Sequence, residues 1–118
     1  MNNRKAGIEG ENIATEYLEK SGYKILERNF SSKTGEIDII AQDKNCIVFV
    51  EVKSRDNLKF GYPVESITLS KAKKTARTAE CYLLYKKKQN SLCRFDVIEV
   101  LRGEVNHIKN AFDKSDLY

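Results

Sequence analysis

Residues 34–55 read TGEIDIIAQDKNCIVFVEVKSR. Two apolar runs, Ile37 to Ala41 and Cys46 to Val52, stand either side of a short polar gap. Runs of this length and composition separated by a few turn residues predict a β-hairpin. The charges fall in unusual places. Glu36 and Asp38 lie in the first strand, Glu51 and Lys53 in the second. Alternate strand positions share a face, so each pair points one way from its strand. A turn centred on Asp43-Lys44 would set Asp38 against Phe49 and Glu36 against Glu51. Asp38 and Glu51 then become diagonal neighbours, roughly 7–8 Å apart at Cα. A slip of one residue or a bulge would change this placing.

Like charges facing each other destabilise a strand pair, and a buried carboxylate without a partner costs several kcal/mol or takes up a proton. A chain needing only a hairpin would do better with Thr or Val. A divalent cation held by the acids, with Lys53 beside it, explains the pattern at least cost. Mg²⁺ suits the set, because it takes oxygen ligands, commonly one or two carboxylates completed by water and phosphate. The rival explanation is a Glu51–Lys53 surface salt bridge on an edge strand, with Glu36 and Asp38 merely solvated.

The remaining sequence frames this hairpin. At 118 residues, 41% of them apolar, the chain suits a single domain spanning 1–118. A net charge of +4 permits an anionic partner. The basic residues are concentrated: 71–88 holds seven Lys or Arg and one Glu. Cys46, Cys81 and Cys93 are far apart and form no C-x-x-C motif, and with one His they show no Cys/His zinc set at the usual ligand spacing. Cys46 and Cys81 read as small core residues of a reduced, cytoplasmic protein. No stretch approaches a membrane span or the apolar run of a signal peptide, so no membrane partner is expected.

Residues 4–21 predict a helix stopped at Gly22. Gly7, Glu11, Ala14 and Leu18 form one stripe along it, which places Glu11 inward. Gly7 and Gly10 cost a helix about 1 kcal/mol each and point to close approach of another backbone or a ligand. Glu11 is either a further acid near the metal or a salt-bridging residue near a helix N-terminus. A strand over 23–30, a loop over 31–34 and the hairpin follow. Residues 54–63 read as a loop in which Phe60 and Tyr62 cover the core or stack on a base. Arg55 shares the face of Lys53 if the strand continues. A second helix, capped by Ser70 and running to about Tyr85, buries Ala72, Ala76, Ala79 and Leu83. Lys71 and Lys74 stand in its first turn, where the helix dipole disfavours positive charge. A phosphate at that end would account for them. Strands over 94–101 and 105–109 follow, and residues 110–118 read as a tail with Ala111-Phe112 packing back. Asp96 is read as structural, paired with Arg94 or Arg55, and His107 as a lone surface or core residue. The order α-β-β-β-α-β-β predicts an α/β fold, a mixed central sheet of about five strands flanked by helices.

An Asp on one strand and Glu-x-Lys on the next, after a helix bearing a Glu, resembles the PD-(D/E)xK nucleases of the restriction-endonuclease-like fold. The nearer likeness covers almost the whole chain. Gly10-Glu11, Ala14, Tyr17-Leu18, Gly35-Glu36-Ile37-Asp38, Val48 to Lys53 with Arg55, Arg94 to Val97 and Asn110-Ala111-Phe112 resemble the bacterial YraN-like family. The layout is also similar to archaeal Holliday-junction resolvases. Ile37 stands where the nuclease pattern has Pro, and Ser31 where a basic residue is expected after Asn29-Phe30.

The resemblance implies that Asp38 and Glu51 bind metal, that Lys53 is the catalytic lysine, and that Glu11 matches the helix acid of the resolvase-like branch. Glu36 belongs to the YraN-like signature and joins the candidate metal set. Arg55, Lys71, Lys73, Lys74 and Arg77 are the candidate phosphate contacts. The implied activity is Mg²⁺- or Mn²⁺-dependent hydrolysis of phosphodiester bonds, in DNA rather than RNA. A structure-specific substrate, a junction or single strand in recombination, repair or DNA uptake, would fit, and resolvases act as homodimers. The alternatives are a nucleic-acid-binding module on the same fold without turnover, and an interaction adaptor built on an ion-pair network.

Overall fold

The computed structural model describes residues 3–55 and 68–112, with side chains within 7–54 and 68–112. The expected loop bearing Phe60 and Tyr62 lies outside them, as does the side chain of Arg55. The order is α1 (Asn3–Lys20), β1 (Lys24–Ser32), β2 (Gly35–Asp43), β3 (Cys46–Arg55), α2 (Leu69–Tyr85), β4 (Leu92–Leu101) and β5 (Glu104–Phe112). The five strands form one sheet in sequential order. Only β3 and β4 pair in parallel; the other neighbours are antiparallel. A parallel pair needs a crossover, and α2 lies within it. The fold is therefore α/β with a mixed sheet, compatible with the restriction-endonuclease-like architecture.

Each helix covers one face. On one side Ala14 and Leu18 of α1 pack with Tyr23, Ile39, Ala41, Val48, Val50, Ile98 and Val100. On the other, Ala72, Ala76, Ala79, Tyr82 and Leu83 of α2 pack with Ile37, Ile40, Ile47, Phe49 and Phe95. β3 alternates between the clusters, as a strand buried on both faces must. Helix α1 ends as predicted. Gly22 takes φ 91, and the N–H of Tyr23 reaches back to the Leu18 carbonyl at 2.9 Å. Only a residue without Cβ takes that turn freely.

Several boundaries differ from the sequence expectation. The cap of α2 is Thr68, whose Oγ1 accepts from the Lys71 N–H, rather than Ser70. That puts Lys71 in the first turn and Lys74 in the second. β1 continues through Ser32, β3 through Arg55, and β5 takes in Ala111 and Phe112. The ring of Phe112 stacks on Phe95 at 4.7 Å, which draws the expected tail into the sheet.

The hairpin register differs by two residues. Asp43 pairs with Cys46 and Ile39 with Val50, so the turn is Lys44-Asn45, with Lys44 at φ 56. A shift of two preserves facing but changes partners. Asp38, not Glu36, comes level with Glu51.

The alternation also slips once. Ile37 and Ile40 pack under α2, whereas Ile39 packs under α1. On β1, Phe30 lies on the α2 side, while Arg28 reaches Asn12 of α1. The position between them, Asn29, is left-handed at φ 54 and stands across from Asp38, between the pairs Arg28–Ile39 and Phe30–Ile37. Asn tolerates that conformation better than most residues. Both strands therefore change face together where the acid sits.

Candidate functional site

The β2–β3 ladder ends at Ile39–Val50, one residue short of Asp38 and Glu51. The next N–H of β3, that of Val52, donates to Asp38 Oδ2 at 2.8 Å. A carboxylate thus takes the place of a backbone acceptor where the strands part. It is held by main chain and set mostly out of water. Burial raises its pKa to about 6, and the negative charges of Glu51 and Glu11 add to the rise; the Val52 N–H and Lys71 oppose it. Asp38 is thus a carboxylate short of positive charge.

Glu51 is in the opposite position. Lys53 Nζ stands 3.3 Å and Lys71 Nζ 2.6 Å from the same oxygen, Oε1. Burial first, and then the neighbouring Lys71, push the Lys53 ammonium below the usual lysine value. For Lys71 burial acts against the charge, but the contact with Glu51 outweighs it and the pKa is raised. Asp38, Glu51 and Lys71 border a cavity of about 340 Å³, whose lining is completed by Gly35, Glu36, Lys74 and Thr75.

The turn from β1 into β2 closes one side of this cavity. Thr34 Oγ1 lies 2.7 Å from Oγ1 of the buried Thr78, and Thr78 in turn donates to the Lys74 carbonyl. Gly35 sits over this contact at φ 149; a Cβ there would come within 3.3 Å of Thr78 Oγ1. Gly35 therefore lets the turn lie against α2.

The structure brings Asp38, Glu51, Glu36, Lys71 and Lys74 together around one opening; Lys53 is outside the lining and joins them through Glu51. Glu11 is nearby but apart. It is half-buried on α1, 3.8 Å from Arg28, and outside the cavity lining. The close approach expected at Gly10 is real: a Cβ there would meet Ser54 Cβ at 2.7 Å. Gly7, contrary to the same expectation, has nothing within 4 Å of its Cβ position among the described residues. Lys73 and Arg77 do not line the cavity, and Arg77 is exposed.

Two features escaped the sequence reading. One is the direct Lys71–Glu51 ion pair, whose only trace is a lysine against the dipole in a helix's first turn. The other is the paired kink at Asn29, signalled only by an Asn inside a strand.

A second polar cluster lies where β4 and β5 meet α1. Asp96, fully buried, accepts from Arg94 Nε at 3.0 Å and from the Asn110 N–H at 3.0 Å, and lies 2.7 Å from His107 Nε2. Arg94 continues to Asp43 and Tyr23, and His107 Nδ1 to Tyr17. Asp96 is structural, as read, with Arg94 as its partner. His107 belongs to this network.

As metal donors, Asp38 and Glu51 supply oxygens to one cavity, as Mg²⁺ requires. Among the described residues no three His, Cys, Asp or Glu converge into a complete ligand set. An ion there would take two carboxylates and complete its shell with water and phosphate, which is its usual habit. The donor chemistry fits. Among the described residues no helix is long and apolar enough to cross a membrane.

Comparison with known proteins places the chain. The model of the uncharacterised protein family UPF0102 matches residues 10–100, which takes in Glu11, both acid-bearing strands, α2 and nearly all of β4. A UPF0102 protein of Caldicellulosiruptor saccharolyticus is 51% identical over 118 residues, covering 95% of this chain and 100% of that one. One from Persephonella marina is 52% identical over 107 residues, covering 91% and 92%. One from Clostridioides difficile is 52% identical over 114 residues, covering 95% and 100%. The chain belongs to the UPF0102 family.

Proposed function

We propose that this protein is a metal-dependent nuclease that hydrolyses phosphodiester bonds in DNA. The observation that carries the reading is the pairing of Asp38 and Glu51 at the mouth of one cavity, with Lys53 and Lys71 on the same Glu51 oxygen. A protein with no use for a cation would gain by replacing a buried carboxylate whose pKa has risen to about 6. An ionisable group perturbed by burial and by named charges, and sitting in a cleft, is a candidate for a functional site.

Asp38 and Glu51 would hold Mg²⁺ or Mn²⁺, with Glu36 at the cavity rim and Glu11 behind Asp38 adding negative charge. A bound ion of this kind lowers the pKa of its water and neutralises charge building on the phosphate. Lys53, on β3 beside Glu51, would orient the attacking water and stabilise the developing charge. Hydrolysis joins the water oxygen to phosphorus and breaks the bond to the leaving oxygen. Lys71 and Lys74 at the start of α2 would hold the flanking phosphates, with Lys73, Arg77 and Arg55 extending the contact. Such contacts position a strand without reading its sequence, which suits a substrate recognised by shape, such as a junction or a single strand.

The test is a panel of labelled duplex, single-stranded, flap, four-way-junction and RNA substrates. Each is incubated with EDTA, Mg²⁺ or Mn²⁺, beside the Lys53→Ala protein. Cutting is expected with metal, absent with EDTA, and reduced at least 100-fold in the variant. Binding of DNA without cutting on any substrate would transfer the assignment to a nucleic-acid-binding module without turnover.

A further inference from the structure

The start of α2 meets the acids in an unexpected way. Lys71 does not face outward toward a passing strand. Its Nζ lies 2.6 Å from Glu51 Oε1, closer than Lys53 at 3.3 Å on the same oxygen. One carboxylate oxygen therefore carries two ammonium groups. They differ in freedom. The Lys53 side chain is 17% exposed and rises from a central strand, whereas that of Lys71 is 40% exposed at the end of a flexible stem. Lys71 also lines the cavity together with Lys74 and Thr75, so the space into which it could swing is the one a phosphate would enter.

Resting on the nuclease reading above, we propose that Lys71 is a displaceable counter-ion of the site. It competes with the divalent cation for Glu51 and, once displaced, takes the substrate's phosphate. The electrostatics require a choice of this kind. A divalent ion on Glu51 Oε1 and an ammonium at 2.6 Å from the same atom would repel at contact distance, so one must leave. Lys53, the more enclosed of the two, stays. The freed Lys71 then points from the N-terminal turn of α2 into the cavity, and its charge adds to the favourable end of the helix dipole for an anion. Lys71 is thus a positioning residue that makes nucleic-acid binding depend on metal.

The test uses the full-length protein and its Lys71→Gln variant, with folding checked by circular dichroism. Titration calorimetry with Mg²⁺ and with Mn²⁺ alone, without nucleic acid, gives the first readout. The variant is expected to bind the ion about two- to fivefold more tightly, the range set by removing a half-exposed ion pair. Binding of a short labelled DNA, with and without Mg²⁺, gives the second. The substitution should weaken binding several-fold in Mg²⁺ and leave it nearly unchanged in EDTA, where Lys71 is engaged by Glu51. Equal metal affinity in the two proteins, or the same loss of DNA binding with and without Mg²⁺, overturns the proposal while the metal site stands. Absence of divalent binding in both proteins overturns this proposal and the nuclease reading together.

Discussion

At the scale of single residues, Asp38 stands well away from the ordinary chemistry of a carboxylate. Burial, more than any charge, lifts its pKa from 3.8 to about 6. The sign of the consequence follows. The folded state holds the proton more tightly than the unfolded chain, so Asp38 does no harm below about pH 4. Its ionisation then erodes stability as the pH climbs through 6. Asp38→Asn keeps a carbonyl oxygen for the Val52 N–H and removes the charge. It should raise stability by about 1–3 kcal/mol at pH 8, read as a higher Tm, and the gain should vanish near pH 4. Melting both proteins across pH 4–8 checks this, and a variant less stable at pH 8 would contradict it. The nuclease reading adds a second expectation: Mg²⁺ raises the Tm of the native protein at pH 8 but not that of the variant. That acids stand on these strands was legible from alternation alone. Their surroundings were not. Lys71 lies 20 residues along the chain from Glu51, and no local pattern announces that its ammonium turns back onto that carboxylate.

At the scale of elements, the chain announced its order plainly and its joints poorly. Period-two apolar runs and the alanine stripe of α2 yielded every helix and strand. The turn of the central hairpin was misplaced because Lys44 occupies a left-handed conformation, φ 56, that a lysine seldom advertises. The slip at Asn29 and Asp38 was hidden for a related reason, since alternation predicts a face only while the ladder stays regular. Of the two glycines of α1 expected at a close approach, Gly10 meets that expectation and Gly7 does not. Gly10 lets α1 close onto β3, where a Cβ would lie 2.7 Å from Ser54 Cβ and 2.9 Å from its Oγ. Gly10→Ala should therefore cost about 1–3 kcal/mol by overpacking, despite the better helix former. Gly7→Ala, with nothing within 4 Å among the described residues, should stabilise by up to about 1 kcal/mol. Adding Ser54→Gly to Gly10→Ala removes both atoms in collision. A coupling of 0.5 kcal/mol or more in urea melts of the double-mutant cycle is expected, at about the lower bound for contacting residues. Additive effects would show that the helix does not approach the strand this closely.

Across the whole molecule, the buried cluster around Asp96 binds together parts of the chain that the sheet alone would leave loosely joined. Asp96 sits on β4, Asn110 and His107 on β5, Tyr17 on α1 and Asp43 at the end of β2; Arg94 and His107 connect them. Burial alone would raise the pKa of Asp96. The hydrogen bonds from His107, Arg94 and the Asn110 N–H outweigh it and hold the group below the ordinary aspartate value. Its sign is opposite to that of Asp38: the stability it supplies is present above about pH 4 and is lost as the pH falls through the lowered value. Removing the carboxylate strands the Arg94 guanidinium, 19% exposed, with Asp43 as its remaining acidic partner. Asp96→Ala should accordingly cost about 3–5 kcal/mol at pH 7, a large share of the stability of a domain this size. Because the cluster ties α1 to the far edge of the sheet, loosening it should disturb α1 first. Hydrogen exchange at pH 7 provides the check. Amides of α1 and β5 should lose protection in a milder variant, Asp96→Asn, while those of β2 and β3 hold theirs. Uniform loss across all five strands would mean that the cluster stabilises the fold as one unit rather than joining α1 and β5 to it.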